Sequence, residues 1–288
     1  MKVKAYAKIN LMLDIVNRRN DGYHDLFMIM QSVGIYDIVT VEKCAKKGIS
    51  ITCSKEGIPL DEKNIAYKAA AEFFKFNRIK NYSVCINIEK RIPHAAGLAG
   101  GSADGAAVLV ALNELYKTEL SRNQLCKIGV KIGADVPFCI TGGTKLSQGI
   151  GEVLSDVAPL RRCFIVLAKP DFDVNTKSAF KQFDLYGKIH TPRKYEMLCA
   201  VQSRDLVEIA SLCENVFEQF IEVPTRVEIK QAMRDCGALG VCMSGSGPTV
   251  YGIFDNEKSA KSAAENLKGL AKDIYVCRPV ACGCKIFE

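Results

Sequence analysis

Apolar and polar residues alternate from Val3 to Val16, the period of a strand, so Lys8 and Asn10, two positions apart, share one face. The same alternation marks Asp37 to Glu42, Ile49 to Cys53 and Tyr82 to Glu89 as strands, while Asn64 to Phe76 repeats at helical spacing through Ile65, Ala69 and Phe73. The strand ending at Glu89 runs into a proline and a glycine-rich loop, and the apolar run that follows to Tyr116 predicts a helix. A second helix begins at Ser121, in SRNQLCKIGVKIG, and Gly133 marks its end. The turn Ala134-Asp135-Val136-Pro137 comes next.

Glycines at Gly142-Gly143 and Gly149 to Gly151 change the composition, and an apolar strand from Arg162 to Ala168 starts anew. A boundary near residue 155 therefore divides the chain into 1–155 and 156–288. The second part is expected to hold helices at 204–220 and 225–236, broken at Pro224. Two strands in 239–254 around Ser244-Gly245-Ser246-Gly247, a helix from Glu257 to Leu270 and a strand IYVCRPV complete it. Helices alternating with strands make this half an α+β sandwich.

The 288 residues, 48% hydrophobic, suit one broad domain or two ordinary ones. A net charge of +7, from 39 basic and 32 acidic residues spread without a long basic run, favours a polyanionic small molecule over nucleic acid. The thirteen cysteines are odd in number, include no Cys-x-x-Cys pair and mostly sit in apolar runs such as YSVCINI, where a thiol acts as a small hydrophobe. Cys277, Cys282 and Cys284 lack a suitably spaced fourth ligand for zinc. The N-terminus has no signal-peptide pattern and no apolar run reaches membrane-spanning length, so a cytoplasmic protein without membrane partners is expected.

The candidate chemistry centres on Pro93-His94-Ala95-Ala96-Gly97-Leu98-Ala99-Gly100-Gly101-Ser102-Ala103. Its glycines let backbone approach a ligand, and the helix N-terminus that follows offers unpaired N–H groups and the positive pole of the dipole, a cradle for phosphate. No Lys-Ser or Lys-Thr pair follows the last glycine, which excludes a Walker A loop, and no acidic residue on a following strand supports a dinucleotide fold. Upstream, Asn20-Asp21-Gly22 is a turn that lifts Tyr23 and His24 onto a rim. Taken locally, Asp135 before Val136-Pro137 reads as a turn residue and Tyr23-His24 as a partly buried pair.

The longer pattern, together with AKIN at Ala7 to Asn10, DGYHDL, KNIAYKAA, KIGADVPFCITGG and MSGSGPTVYGIF in that order, resembles the galactokinase, homoserine, mevalonate and phosphomevalonate (GHMP) kinase superfamily from residue 5 to about 255. It is most similar to the branch that acts on a cytidine diphosphate alcohol. The resemblance implies an N-terminal ribosomal-protein-like α/β domain, a C-terminal ferredoxin-like domain, and ATP with Mg²⁺. On it, Lys8 and Asp135 are catalytic, the loop holds the phosphates, Asn64 and Lys90 touch adenosine, and Asn10, Tyr23, His24, Thr176 and Phe180 bind the substrate. Ser102 is the one residue expected near the metal, whose other ligands are unknown, and the Ser244-to-Gly247 turn is expected to close the site. Ala99 and Ala103 stand where many relatives carry glycine and serine, and Gly105 replaces alanine, which should weaken the first helical turn by about 1 kcal/mol. A sister kinase for mevalonate or homoserine would share the loop but have no use for the aromatic and histidine pair. An RNA-binding protein on the same fold would not need Lys8 and Asp135 together.

Overall fold

The computed structural model describes residues 1–288. The opening alternation becomes β1 (Lys2–Arg18), which pairs antiparallel with β2 (His24–Lys43) across the turn at Gly22, whose φ of 84° suits glycine. Three register shifts interrupt this ladder, at Tyr6/Ala7, Asn10/Met12 and Ile15/Asn17, so Lys8 and Asn10 lie on a short length of strand bounded by irregularities. Bulges re-aim side chains in this way beside active sites.

β3 (Gly48–Cys53) and β4 (Ser83–Glu89) are parallel, and α1 (Ile65–Phe76) forms the crossover between them. α2 (Gly100–Leu115) follows the glycine loop and has a fully buried stretch from Ala103 to Leu109. α3 (Arg122–Gly129) opens on a reciprocal capping box between Ser121 and Gln124. α4 (Val136–Thr141) starts at the Asp135 turn, and the hairpin of β5 (Thr144–Gly149) and β6 (Val153–Asp156) extends the sheet from β2.

The second half contributes β7 (Phe164–Lys169), α5 (Thr176–Tyr186), α6 (Lys194–Ser203), α7 (Leu206–Ser211), β8 (Glu214–Asn215), α8 (Arg226–Asp235), β9 (Gly240–Met243), β10 (Val250–Phe254), α9 (Glu257–Asn266), β11 (Asp273–Cys277) and β12 (Cys284–Ile286). Its sheet has the order β11-β7-β10-β9, and α8 and α9 cover it through Ile229, Met233, Ala260, Ala263 and Leu267. The larger sheet runs β12-β1-β2-β4-β3, with β8 also on β1, so two late strands return to the first sheet. No helix is long and apolar enough to cross a membrane.

Several elements differ from the sequence expectations. The helix expected over 204–220 ends at Ser211, because the chain then extends as β8 beside Met12 and Leu13 and the Asn215 amide donates to the carbonyls of Met243 and Gly245, both at 2.7 Å. The helix expected to reach Gly133 ends at Gly129, where α4 crosses so closely that a Cβ would stand 2.9 Å from Val136. The helix expected to reach Leu270 stops at Asn266, and the strand expected through Val280 stops at Cys277. Beyond Cys277 the chain turns back toward β1, with Gly34 N–H donating to the Arg278 carbonyl at 2.9 Å and Val280 N–H to that of Ser32 at 2.9 Å.

That return path leaves no room for side chains. A Cβ on Gly283 would lie 1.9 Å from the Cys139 carbonyl oxygen, and one on Gly142 would lie 1.9 Å from the Gly283 nitrogen. Backbone cannot yield as a flexible side chain can, so Gly283→Ala is expected to cost at least the roughly 1–3 kcal/mol typical of overpacking. A denaturant melt checks this: the midpoint should fall at unchanged slope, and an unchanged midpoint would show that β12 is not pinned there.

Candidate active site

The loop between β4 and α2 takes left-handed backbone at Ala95, Gly97 and Ala99, with φ of 49°, 71° and 57°. The left-handed conformation at Ala99 is one that glycine adopts freely, whereas alanine there carries a steric cost of roughly 1 kcal/mol. Ala103 N–H donates to the Ala99 carbonyl at 2.9 Å, while the N–H groups of Gly100, Gly101 and Ser102 take no acceptor within the protein. They open α2 toward a cleft of about 560 Å³ lined by the loop, Lys8, Asp135, Asn64, Lys90, Thr176, Phe180 and Ser246, among others. Free N–H groups and the dipole of a sixteen-residue helix are the features that favour an anion at this point. Ala103 is fully buried and off the cleft wall, so its missing hydroxyl withdraws nothing from a ligand there. Gly105 has a packing reason: a Cβ would come within 2.7 Å of the Ile65 side chain on α1.

Behind the loop, two glycine turns touch. A Cβ on Gly97 would stand 2.1 Å from the Ser244 carbonyl oxygen, and the Ser244 hydroxyl donates to the Gly97 carbonyl at 3.0 Å. Asn10 is wholly buried beneath them; its side-chain oxygen accepts from Gly245 N–H at 3.0 Å and from Lys8 Nζ at 2.8 Å. Its backbone carbonyl accepts from the Tyr251 hydroxyl at 2.9 Å, and Lys8 N–H donates to the Leu98 carbonyl at 3.2 Å. Lys8 Nζ then lies 3.7 Å from Asp135 Oδ2, at the start of α4; the lysine is buried and the aspartate is about one third exposed.

Lys90 reaches under the loop into a cluster that local sequence did not reveal. Its ammonium donates to Asp37 Oδ2 and, at 2.7 Å, to Asp104 Oδ2, while Asp37 Oδ1 accepts the N–H groups of Arg91 and Ile92. All three side chains are buried. Burial pushes the Asp104 carboxyl up to about 8, with Asp37 adding to the rise and Lys90 opposing it. Burial pulls the Lys90 ammonium down, but the two carboxylates outweigh it and leave it above its ordinary value. Asp104 Oδ1 has no partner.

Of the remaining candidates, Asn64 caps α1, accepting from Ala66 N–H at 2.8 Å, and borders the cleft with Ile58, Pro59 and Lys63. His94 is exposed on the loop. Thr176 shares a hydrogen bond with Ser246 at 3.0 Å, which joins α5 to the second glycine turn. Phe180 lines the cleft and stacks on His24, ring centres 5.0 Å apart, so the pair meets directly; Tyr23 stands apart on the rim, 60% exposed. His24 is buried, with Nε2 2.7 Å from Asp184 Oδ1. The helix carrying Thr176, Phe180 and Asp184 was missed in the sequence, although its cap, Asn175, which accepts from Ser178 N–H at 3.1 Å, is a signal that could have marked it.

A glycine loop opens a helix onto the cleft, a lysine stands beside an aspartate and a second glycine turn packs against the loop, and comparison with known proteins identifies the class of this arrangement. The model of the GHMP kinases N terminal domain matches residues 64–143 and that of the GHMP kinases C terminal domain matches 197–273. A 4-diphosphocytidyl-2-C-methyl-D-erythritol kinase of Clostridium perfringens is 46% identical, over 97% of this chain and 98% of its own. A crystal structure of 4-(cytidine 5'-diphospho)-2C-methyl-D-erythritol kinase superposes with a TM-score of 0.80 at 31% identity, covering 97% of this chain and 99% of that one. The homoserine kinase of Cytophaga hutchinsonii, 21% identical with a TM-score of 0.82 over 100% of this chain and 97% of its own, shares the fold. The chain belongs to the GHMP kinases and, among them, to the 4-diphosphocytidyl-2-C-methyl-D-erythritol kinase family.

The raised Asp104 carboxyl carries a sign that can be checked. Its folded-state value of about 8 lies above the ordinary 3.8, so its stabilising contribution is complete below 3.8 and is lost as pH rises toward 8. Asp104→Asn mimics the protonated acid, so the melting temperature of the variant should gain on the wild type steadily between pH 4 and 8. A difference independent of pH would mean that Asp104 is ionised throughout.

Proposed function

We propose that the chain transfers the γ-phosphoryl group of ATP to the 2-hydroxyl of 4-diphosphocytidyl-2-C-methyl-D-erythritol, a step of the non-mevalonate isoprenoid route. The observation that carries this reading is the 3.7 Å approach of Lys8 to Asp135 in the cleft that receives the α2 N-terminus. Phosphoryl transfer has a loose transition state, so positioning and charge stabilisation are most of the catalysis. The free N–H groups of Gly100, Gly101 and Ser102 hold the phosphates, and Asn64 with Lys90 borders the adenosine end.

Asp135 accepts the hydroxyl proton as the substrate oxygen bonds to the γ-phosphorus and the bond to the β-phosphate oxygen breaks, releasing ADP. Lys8 donates one N–H to Asn10, which leaves two for the carboxylate and for the developing alkoxide. Mg²⁺ bound with ATP would supply charge neutralisation at the phosphates. The Ser102 hydroxyl and the Asp135 carboxylate, about one third exposed, are oxygen donors in the same cleft and would hold a cation needing few protein ligands. His24, packed on Phe180 beside Thr176, reads the cytosine, with Tyr23 free to fold over from the rim.

In single-turnover assays at saturating ATP and substrate, Asp135→Asn is expected to slow transfer about 10²- to 10⁴-fold with little change in binding. Lys8→Ala should cost a similar factor, and the double variant should be scarcely slower than either, because the two act as one unit. A near-normal rate in Asp135→Asn would remove the aspartate from the mechanism. ADP release with the cytidyl substrate, mevalonate and homoserine offered in turn tests the substrate; faster turnover of either of the latter would assign the chain to a sister reaction.

A further inference from the structure

We propose that Asp184 is a positioning residue that sets which hydrogen-bonding edge His24 presents to the substrate base, and through it the preference for cytidine over uridine. This rests on the reading of His24 as the cytosine contact and goes beyond it to the residue that decides what His24 can recognise.

One face of α5 holds the imidazole on three sides. Phe180 stacks on it at 5.0 Å and an interplanar angle of 19°, Phe183 meets it edge-on at 5.6 Å and 88°, and Asp184 Oδ1 lies 2.7 Å from Nε2. Positions 180, 183 and 184 stand in the i, i+3, i+4 relation that brings side chains together on one helix face. The other carboxylate oxygen of Asp184 lies 3.7 Å from Arg18 Nε, so a cation supports it from β1.

An ionised carboxylate only accepts hydrogen bonds, so the neutral ring carries its proton on Nε2 and keeps a lone pair on Nδ1. Nδ1 has no partner in the protein, yet it is not among the sealed, unpartnered atoms of the interior. A lone pair there accepts from the exocyclic amine of cytosine and opposes the carbonyl that uracil carries at the same position. The other tautomer would reverse that choice. Rejection by a polar group left facing the wrong partner is the strong form of discrimination.

The helix that carries Asp184 is tied down at both ends, as a positioning role requires. Thr176 bonds Ser246 at its start, and two residues past its end Lys188 reaches the fully buried Asp14 of β1 at 3.1 Å, where Lys194 at the start of α6 joins it at 3.0 Å.

The test combines ¹⁵N spectra of the imidazole rings at pH 8.5 with the ratio of kcat/KM for the cytidyl substrate to that for its uridyl counterpart. The wild-type spectrum should show the His24 proton on Nε2; a proton on Nδ1 overturns the proposal without any variant. In Asp184→Ala, shown folded by a thermal melt, the ratio should fall at least tenfold, chiefly through KM, and the Nδ1–H tautomer should gain. Asp184→Asn, whose amide oxygen can still accept from Nε2–H, should restore most of the ratio, which a purely structural loss would not do. If His24→Ala loses discrimination while Asp184→Ala keeps it, the role of Asp184 fails and the reading of His24 stands. If neither variant changes the ratio, the base is read elsewhere and both fail.

Discussion

Two glycine turns from distant parts of the chain meet backbone to backbone, and the side chain of Asn10 fills the join. Gly97 must lack a side chain for the Ser244 carbonyl to come so near, and Asn10 spends its single oxygen on Gly245 N–H and on the Lys8 ammonium. One amide therefore fixes both the closure of the second turn over the loop and the direction of the lysine. The Tyr251 hydroxyl on the Asn10 carbonyl and the Asn215 amide on the carbonyls of Met243 and Gly245 hold the same join from the second sheet. Asn10, Lys8, Asn215 and Tyr251 are all buried and hydrogen-bonded there, the condition under which a polar network specifies a single geometry.

Beneath the loop, electrostatics does comparable work. Lys90 between Asp37 and Asp104 leaves one more carboxylate than cation in a dry place, and desolvation answers by raising Asp104 toward its neutral form. Asp37 meanwhile accepts the N–H groups of Arg91 and Ile92, the residues from which the loop departs. The cluster thus anchors the strand end that aims the cradle. Lys90 borders the cleft, but its ammonium is committed to these carboxylates, a role that the strand-end position of the residue gives no hint of.

The parts legible in the sequence were those whose signal is local or whose spacing is long and ordered: the glycine loop with its helix, the Asp135 turn, and Lys8 with Asn10 on a common face. The first half of β2 was not legible, because Leu26 to Met30 is buried on both faces and so shows no period of two. Helix α5 escaped for the opposite reason, since only Ala179 is fully buried and Phe180 and Phe183 are half-buried, divided between His24 and the edge of the core. The helix expected across 212–220 was overridden by tertiary demand, as Asn215 is worth more to the glycine turns than its segment is as a helix. Ion clusters such as Asp37–Lys90–Asp104 and Asp14–Lys188–Lys194 join residues far apart in the chain, and no local pattern announces them.

If the join at Asn10 governs the site, removing its side chain must disable catalysis although Asn10 is sealed from the cleft. The direct measurement is single-turnover phosphoryl transfer by Asn10→Ala at saturating ATP and substrate, on protein shown folded by its melting curve. Loss of the amide frees Lys8 and the second turn, and misplacement on the scale of an ångström is worth about 10²-fold in rate, so a fall of at least that size is expected. A near-normal rate in the folded variant would show that the lysine and the two turns find their places without Asn10.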